Sequence, residues 1–167
     1  MNDKEMLARI EKKWKTIEYL HTDDPSDETR RGFKDHPDPM IRHAALCLVR
    51  FDETRLAFKD DPDASVREMA VTWMQSDKSR LAFRDDPSAE VRSAAVRRAK
   101  SDATRFAFLD DPDVRVREAA VSGAQTTRFL ELAQDRETES RVLSAIHDRM
   151  RMIKEAERYQ DYDRGIE

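Results

Sequence analysis

Apolar residues recur along this chain at the spacing of a one-sided helix, and the whole pattern returns downstream. In and just after the stretch "DDPDASVREMAV" (60–71), the apolar positions fall at i, i+3, i+4 and i+7, which predicts an α-helix with one buried face. Those positions are Val66, Met69, Ala70, Trp73 and Met74. A near copy, "DDPDVRVREAAV", follows at 110–121, and a rougher version, "DDPSAEVRSAAV", lies between them at 85–96.

The prolines set the period of this repetition. Four of them are each 25 residues apart: Pro37, Pro62, Pro87 and Pro112. Self-similarity at a fixed period of this size predicts a stacked architecture, because one repeat cannot bury its own apolar stripe. The repeated stretch is therefore a packing unit.

Each repeat is expected to hold a long helix and a short one. In the repeat that begins at Asp61, we place Asp61 at the N-cap and Pro62 at the first helical position. That helix should end around Gln75. The following "SDKSRLAF" leaves room for one or two turns of α or 3₁₀ type before the next "DDP".

Three columns of the repeat stay apolar in every copy, which indicates packing between neighbouring repeats. The first is β-branched: Ile41, Val66, Val91 and Val116. The second is small: Ala45, Ala70, Ala95 and Ala120. The third is a large ring in the short element: Phe33, Phe58, Phe83 and Phe108.

The ends of the chain differ from the middle. Residues 1–25 are predicted to form a capping helix with Met6, Ile10, Trp14, Ile17 and Leu20 along one side. The 25-residue repeats occupy 26–136, a second capping helix occupies 137–160, and 161–167 are expected to fray. The whole of 1–167 is predicted to be one all-α solenoid domain.

The unit "DPDxxVRxxAV…SDxTRxAFxD" resembles the HEAT-like repeats, and within them most closely the leucine-rich repeat variant family. The resemblance covers residues 26 to about 146. It implies a right-handed α-solenoid that alternates a long helix with a short α- or 3₁₀-helix. The founding type of that variant family carries a cysteine-ligated iron–sulfur module, but Cys47 is the single cysteine here, so no such cofactor is expected.

An arginine column follows the opening residue of each long helix by six positions: Arg42, Arg67, Arg92, Arg117 and Arg141. In HEAT-like repeats, an aspartate and an arginine at this separation form a ladder between adjacent repeats. The resemblance therefore implies a structural ladder, with Asp61, Asp86, Asp111 and Asp135 as the acids. The alternative is a row of cations that binds phosphate or carboxylate.

Charge and composition narrow the function classes. The chain is 40% charged with a net charge of -4, so it has no bulk attraction for nucleic acid or an anionic membrane. It lacks an apolar signal-peptide core and a run of apolar residues that could span a bilayer, so a cytoplasmic location is expected.

No set of residues points to catalysis, so we expect neither enzyme activity nor a metal. The four histidines have no paired spacing for a ligand set. Trp73 and Asp77 are four residues apart, and HEAT-like alkylpurine DNA glycosylases use an aromatic residue and an aspartate to hold a lesion. Asp77, however, belongs to a column of helix-start aspartates with Asp27, Asp52 and Asp102.

The variable columns are the candidate binding surface. At the ends of the long helices we single out Trp73, Arg97, Arg98, Arg50 and Lys100, because tryptophan and arginine are enriched in binding hot spots. The alternative is that Trp73 fills a gap between repeats, and the sequence leaves both hypotheses open. On the short-element side, Phe106 and Leu109 are too apolar for a solvated turn unless the last repeat covers them.

These observations favour a non-catalytic protein–protein interaction module. One form is a monomeric inhibitor, such as an immunity protein that neutralises a basic toxin through the acidic pairs before each proline. A second form of such a module is a scaffold that binds another copy of itself. The alternative is a nucleic-acid-binding protein with a basic strip of Arg97, Arg98, Lys100 and either Arg80 or Arg105.

Overall fold

The computed structural model describes residues 3–23 and 25–164, with side chains for 4–23 and 25–160. Within these residues the chain is all-α, with eleven helices and no strand. In chain order they are α1 Asp3–Thr22, α2 Asp27–Arg31, α3 Pro39–Leu46, α4 Asp52–Leu56, α5 Ala64–Thr72, α6 Asp77–Leu81, α7 Ala89–Arg97, α8 Asp102–Phe106, α9 Val114–Ser122, α10 Thr127–Gln134 and α11 Ser140–Arg164.

The chain divides into two compact parts, Met1–Ser79 and Arg80–Glu167. In the N-terminal part, α3 contacts both α1 and α5, and the short helices α2 and α4 contact each other. In the C-terminal part, α9 contacts both α7 and α11, and α10 packs on α11. The single domain expected from the sequence stays a prediction.

The columns of the repeat form the core of each part. The β-branched and alanine columns are buried throughout, and Phe58, Phe83 and Phe108 are each only 1% exposed. Phe33 is the exception, because it is half-buried and contacts the ring of His36. The column pattern therefore predicted the core, apart from its first phenylalanine.

The predicted N-cap of the long helices is wrong by two residues. Asp63 caps α5, and its carboxylate accepts a hydrogen bond from the backbone N–H of Ser65 at 2.9 Å. Asp61 lies before the helix and is buried. Its Oδ1 accepts from the backbone N–H of Asp63 at 2.9 Å and is also needed by Arg42. Because the Asp61 carboxylate is taken up by Arg42 and by the N–H of Asp63, it does not cap the first turn of α5.

The short element combines both predicted helix types. The helix α4 has five α-helical residues. It continues into a turn whose backbone N–H groups bond three residues back, from Phe58 to Arg55 at 3.0 Å and from Lys59 to Leu56 at 3.1 Å. This i+3 to i pattern is that of a 3₁₀-helix.

The two end helices differ from their predicted bounds and faces. On α1, Leu20 is fully buried, whereas Trp14 is 57% exposed and Met6 and Ile10 are also exposed. The helix α11 begins at Ser140 rather than 137 and continues to Arg164. Residues 165–167 of the predicted frayed tail lie outside the described residues, as do 1, 2 and 24 of the N-terminal segment.

The last repeat is one residue longer than the others. Val142 and Ile146 are buried on α11, and they lie 26 residues after Val116 and Ala120. The extra residue follows α10, which has eight residues where α8 has five. The period therefore changes between α10 and α11.

Candidate functional site

Buried ion pairs take up the arginine column of the long helices. Arg42 forms a bidentate pair with Asp61 at 2.7 and 2.8 Å, and Arg92 forms one with Asp111 at 2.8 and 3.0 Å. The hydrogen bond to Asp111 raises the pKa of Arg92. Arg92 also donates to the carbonyl oxygen of Asp86 at 2.8 Å. These guanidinium groups are occupied by the protein itself, so they do not form an open cation row.

Two further ladder residues belong to different parts of the chain, Arg67 to the N-terminal part and Asp86 to the C-terminal part. Arg67 is buried and donates from Nη1 to the carbonyl oxygen of Asp61 at 2.7 Å. Asp86 is buried, and its Oδ1 accepts from the backbone N–H of Ser88 at 2.8 Å. Each thus has a structural role within its own part.

At the last repeat the predicted acid is wrong. Arg117 pairs with Glu137, at 2.8 and 3.3 Å, and not with Asp135. Glu137 lies 26 residues after Asp111, so the inserted residue carries the ladder position past Asp135. Arg141 is displaced by the same insertion and forms an exposed pair with Glu118 at 2.6 Å.

At the first repeat, His36 stands where later repeats have aspartate. Its Nδ1 accepts from the backbone N–H of Asp38 at 3.0 Å, which is the bond that Asp61 makes with Asp63. Its carbonyl oxygen accepts from Arg42 at 2.8 Å. This histidine is therefore explained as a turn residue, as the absence of a paired ligand spacing suggests.

A second arginine column is buried in the short helices, and sequence reasoning missed it. Its members are Arg30, Arg55, Arg80 and Arg105. Arg55 donates to the carbonyl oxygen of Val49, and Arg105 donates to that of Ala99. Burial lowers the pKa of Arg55. The sequence feature that could have revealed this column is an arginine at the same position of each repeat. Because Arg80 and Arg105 are buried, their predicted place in a basic surface strip is wrong.

The helix-start aspartates hold the loops that follow the long helices. Asp27 accepts from the backbone N–H groups of Arg50 at 3.1 Å and Phe51 at 2.9 Å. Asp52 accepts from those of Gln75 at 2.8 Å and Ser76 at 3.0 Å. Burial acts to raise the pKa of Asp52, but these hydrogen bonds outweigh it and lower that pKa. The first clamp ties the start of α2 to the loop after α3, and the second ties the start of α4 to the loop after α5.

Three large apolar side chains stand exposed on these clamped loops of the N-terminal part, and we call them the loop patch: Leu48, Phe51 and Trp73. Their exposed fractions are 60%, 61% and 49%. Trp73 is therefore not part of the buried core, and its binding role stays a prediction. Arg50 is also exposed, on the same loop as Leu48 and Phe51. Two of the predicted binding residues, Trp73 and Arg50, thus lie exposed on the loops that the aspartates hold.

Two members of the loop patch break the rules that the other repeats follow. Leu48 has φ 61°, a left-handed conformation that costs a residue with a side chain about 1–2 kcal/mol. Phe51 occupies the N-cap of α4 with a ring that cannot accept a hydrogen bond. The equivalent hydroxyls cap their short helices in the other repeats: Ser26, Ser76, Ser101 and Thr126. Both departures expose apolar surface at a local cost in stability.

The other predicted binding residues belong to the C-terminal part. Arg97, Arg98 and Lys100 are all exposed at the end of α7. Arg97 donates from Nη2 to Ser93 Oγ at 3.0 Å. These three cations form a separate candidate surface.

The short-element side is largely closed. Leu109 is buried, and Phe106 is 41% exposed. The guanidinium of Arg136 lies 4.9 Å from the centre of the Phe106 ring and pairs with Asp110 at 3.1 Å. Arg136 of the last repeat therefore lies against Phe106, which stays partly exposed, whereas Leu109 is buried.

Among the residues that the structure describes, there is neither an activated thiol nor a metal-binding cluster. Cys47 is half-buried, and burial raises the pKa of its thiol, which disfavours the nucleophilic thiolate. Across the described residues, no cluster of three or more histidine, cysteine or acidic side chains could hold a metal ion. None of the described helices has the length and apolar character needed to cross a membrane.

Comparison of the chain with protein-family models, curated proteins and solved structures finds no significant match.

Proposed function

We propose that this chain is a non-catalytic protein-interaction module that docks a partner protein through the loop patch. The observation that carries the proposal is the exposure of Leu48, Phe51 and Trp73 on loops whose backbones are fixed by Asp27 and Asp52. Large apolar side chains on a fixed backbone lose little freedom on binding, which favours affinity. Tryptophan at such a surface is a typical hot-spot residue.

The departures from the repeat give a second argument. A serine at position 51 would cap α4, and a residue in an ordinary conformation at 48 would avoid the left-handed backbone. The chain has neither, although four other short helices are capped by hydroxyls. A local cost that stability does not explain is expected where a surface serves binding.

The test is affinity capture from the native host with three immobilised baits. They are the wild type, the double variant Phe51→Ser/Trp73→Ala, and the control Leu132→Ala, whose leucine is 44% exposed outside the loop patch. Circular dichroism checks that all three fold. We expect one protein on the wild type and the control and its loss from the double variant. Equal capture by all three baits would refute the loop patch as the docking surface.

An inhibitor of a basic partner is a narrower form of this proposal. Asp61 and Asp111 are held in buried pairs, so of the acidic pairs only the first members face solvent: Asp60, Asp85 and Asp110. They would speed association with a basic protein. Stoichiometric loss of the captured partner's activity on adding this chain would support inhibition, and unchanged activity would contradict it.

Nucleic-acid binding is the second candidate, because Arg97, Arg98 and Lys100 are all exposed at the C-terminal end of α7 and just after it. The basic strip predicted for this function cannot include Arg80 or Arg105, because both are buried. Binding to single-stranded and duplex oligonucleotides at low salt, compared between wild type and Arg97→Glu/Arg98→Glu, tests it. Phosphate-driven binding would weaken steeply with salt.

The finer architecture and setting belong to the same proposal. They comprise a right-handed solenoid of HEAT-like repeats of the leucine-rich repeat variant type, a monomeric state and a cytoplasmic location. The 25-residue period and the alternation of long and short helices support the solenoid. Sedimentation velocity over a concentration series tests the monomer.

A further inference from the structure

The N-terminal helix leaves part of its apolar stripe open beside a cavity. Met6 and Ile10 are 45% and 44% exposed. Both line a cavity of about 600 Å³ between α1 and the segment 36–39 that precedes α3. We call this cavity the α1 groove. Exposed apolar side chains that line a cavity are typical of a binding site.

The positively charged residues that line the α1 groove differ in whether they form ion pairs. Lys13 is held by Asp38 at 2.8 Å and lies 3.0 Å from Met40 Sδ. Arg9 and Lys12 also line the groove and are exposed, and neither forms an ion pair with another described residue. The groove therefore carries two cations outside the described ion pairs, on a chain whose net charge is -4.

We infer that the α1 groove binds an acidic amphipathic helix of a partner protein. Met6 and Ile10 are one helical turn apart, and a partner helix with apolar residues at i and i+4 presents the matching spacing. Carboxylates beside that stripe would meet Arg9 and Lys12, which is the charge complementarity that selects one partner against others. A nucleic acid would satisfy the two cations but would leave Met6 and Ile10 in water.

This inference is independent of the loop patch. The groove lining includes none of Leu48, Phe51 and Trp73. The groove lies beside the residues before α3, whereas the loop patch lies beyond the C-terminal ends of α3 and α5. A variant of one surface therefore leaves the other intact, and either proposal can fail alone.

The test selects binders without assuming their sequence. A displayed library of 18-residue helical peptides is panned against the wild type and counter-selected against Arg9→Glu/Lys12→Glu. The enriched peptide is then titrated into Trp73→Phe protein, in which Trp14 is the single tryptophan. Trp14 follows Ile10 by one turn and is exposed, so its emission reports binding near the groove.

We expect enriched peptides that are acidic and carry apolar residues at i and i+4. Their affinity should fall about tenfold or more in Arg9→Glu/Lys12→Glu and in Ile10→Asp. A charge-matched control, Lys15→Glu/Lys34→Glu, lies outside the groove and should change the affinity less than about twofold. Basic enriched peptides, no enrichment over the counter-selected variant, or equal effects of the two charge variants would each overturn the inference.

A second copy of this chain is the remaining occupant, and it is tested separately. Sedimentation equilibrium of the wild type and Ile10→Asp gives the mass of each. A monomeric wild type is expected. A wild-type dimer that Ile10→Asp converts to monomer would assign the groove to self-association and overturn the inference.

Discussion

Arg149 donates from its Nε to the carbonyl oxygen of Ala124 at 2.7 Å, and so α11 caps the long helix of the repeat before it. In earlier repeats the carbonyl at this position is reached by an arginine six residues later, as Arg55 reaches Val49 and Arg105 reaches Ala99. Six residues after Ala124 the chain has Leu130, which is fully buried. The final repeat has therefore lost its own arginine, and the terminal helix supplies one.

Replacing Arg149 should destabilise the C-terminal part. Arg149→Met keeps most of the aliphatic stem but leaves the Ala124 carbonyl without this donor, so we expect a loss of about 1–3 kcal/mol in the free energy of unfolding. Urea denaturation of Arg149→Met beside Arg151→Met measures it, since Arg151 forms only an exposed pair with Asp148. Equal midpoints for the two variants would contradict the capping role.

The buried ladder pairs should be worth more than the surface pairs beside them. Arg92→Met strands the buried carboxylate of Asp111, so we expect a loss of about 3–5 kcal/mol. Arg115→Met breaks exposed pairs with Glu90 and Asp113, so it should shift the urea midpoint little.

The double variant Arg92→Met/Asp111→Asn separates charge burial from lost packing. The asparagine oxygen keeps an acceptor for the backbone N–H of Asp113, a bond of 2.8 Å in the wild type, and removes the stranded charge. We expect it to recover part of the stability lost in Arg92→Met. If the double variant is the less stable of the two, the ladder carboxylate does not act through its charge.

The period of the sequence predicted the core because packing between repeats is periodic. Val66, Val91 and Val116 are fully buried, and each occupies the same place in its repeat. The N-cap could not be read from the same pattern, because both Asp61 and Asp63 suit a helix start. Only the position of Arg42 decides that Asp61 turns inward.

The acid of the last repeat and part of the candidate surface could not be predicted from the sequence, for different reasons. A strict 25-residue period points to Asp135, and one inserted residue moves the acid to Glu137. Arg105 looks like a surface cation, because charge in a sequence does not reveal a guanidinium buried against backbone carbonyls. Trp73 was the better signal, since an aromatic residue in a variable column is free of the packing constraint. Phe51, the other exposed ring of the loop patch, went unnoticed because its column is a capping position.

Acid should weaken the fold through Glu137. Burial acts to raise the pKa of Glu137, but hydrogen bonds from Arg117 and from the backbone of Glu139 and Thr138 outweigh it and lower that pKa. A carboxyl group whose folded pKa lies below its unfolded value of about 4.3 contributes stability above that value and loses it as the pH falls further.

Urea midpoints of the wild type and Glu137→Gln, measured from about pH 6 to about pH 3, check this prediction. Glu137→Gln should be less stable at the upper end, and the difference should shrink as the pH falls. Glu131→Gln, an exposed change on α10, provides the control. A difference that stays constant across the range would show that Glu137 acts through packing and not through its charge.

Phe51→Ser should stabilise the protein and impair partner binding at the same time. A serine at the N-cap of α4 can accept from the backbone N–H of Thr54, as Ser101 accepts from Thr104 at 3.3 Å, so we expect a gain of about 1 kcal/mol in the free energy of unfolding. The reciprocal change, Ser101→Phe, should cost a similar amount without impairing capture through the loop patch.

Thermal unfolding and affinity capture on the same preparations measure both effects. If Phe51→Ser gains stability and binds as well as the wild type, the exposed ring at 51 serves no docking. If Phe51→Ser loses stability, the ring of Phe51 packs on its loop, and Phe51 does not replace a more stabilising N-cap. Opposite changes in stability and binding are the outcome that only a functional surface produces, because a purely structural residue would move both in the same direction.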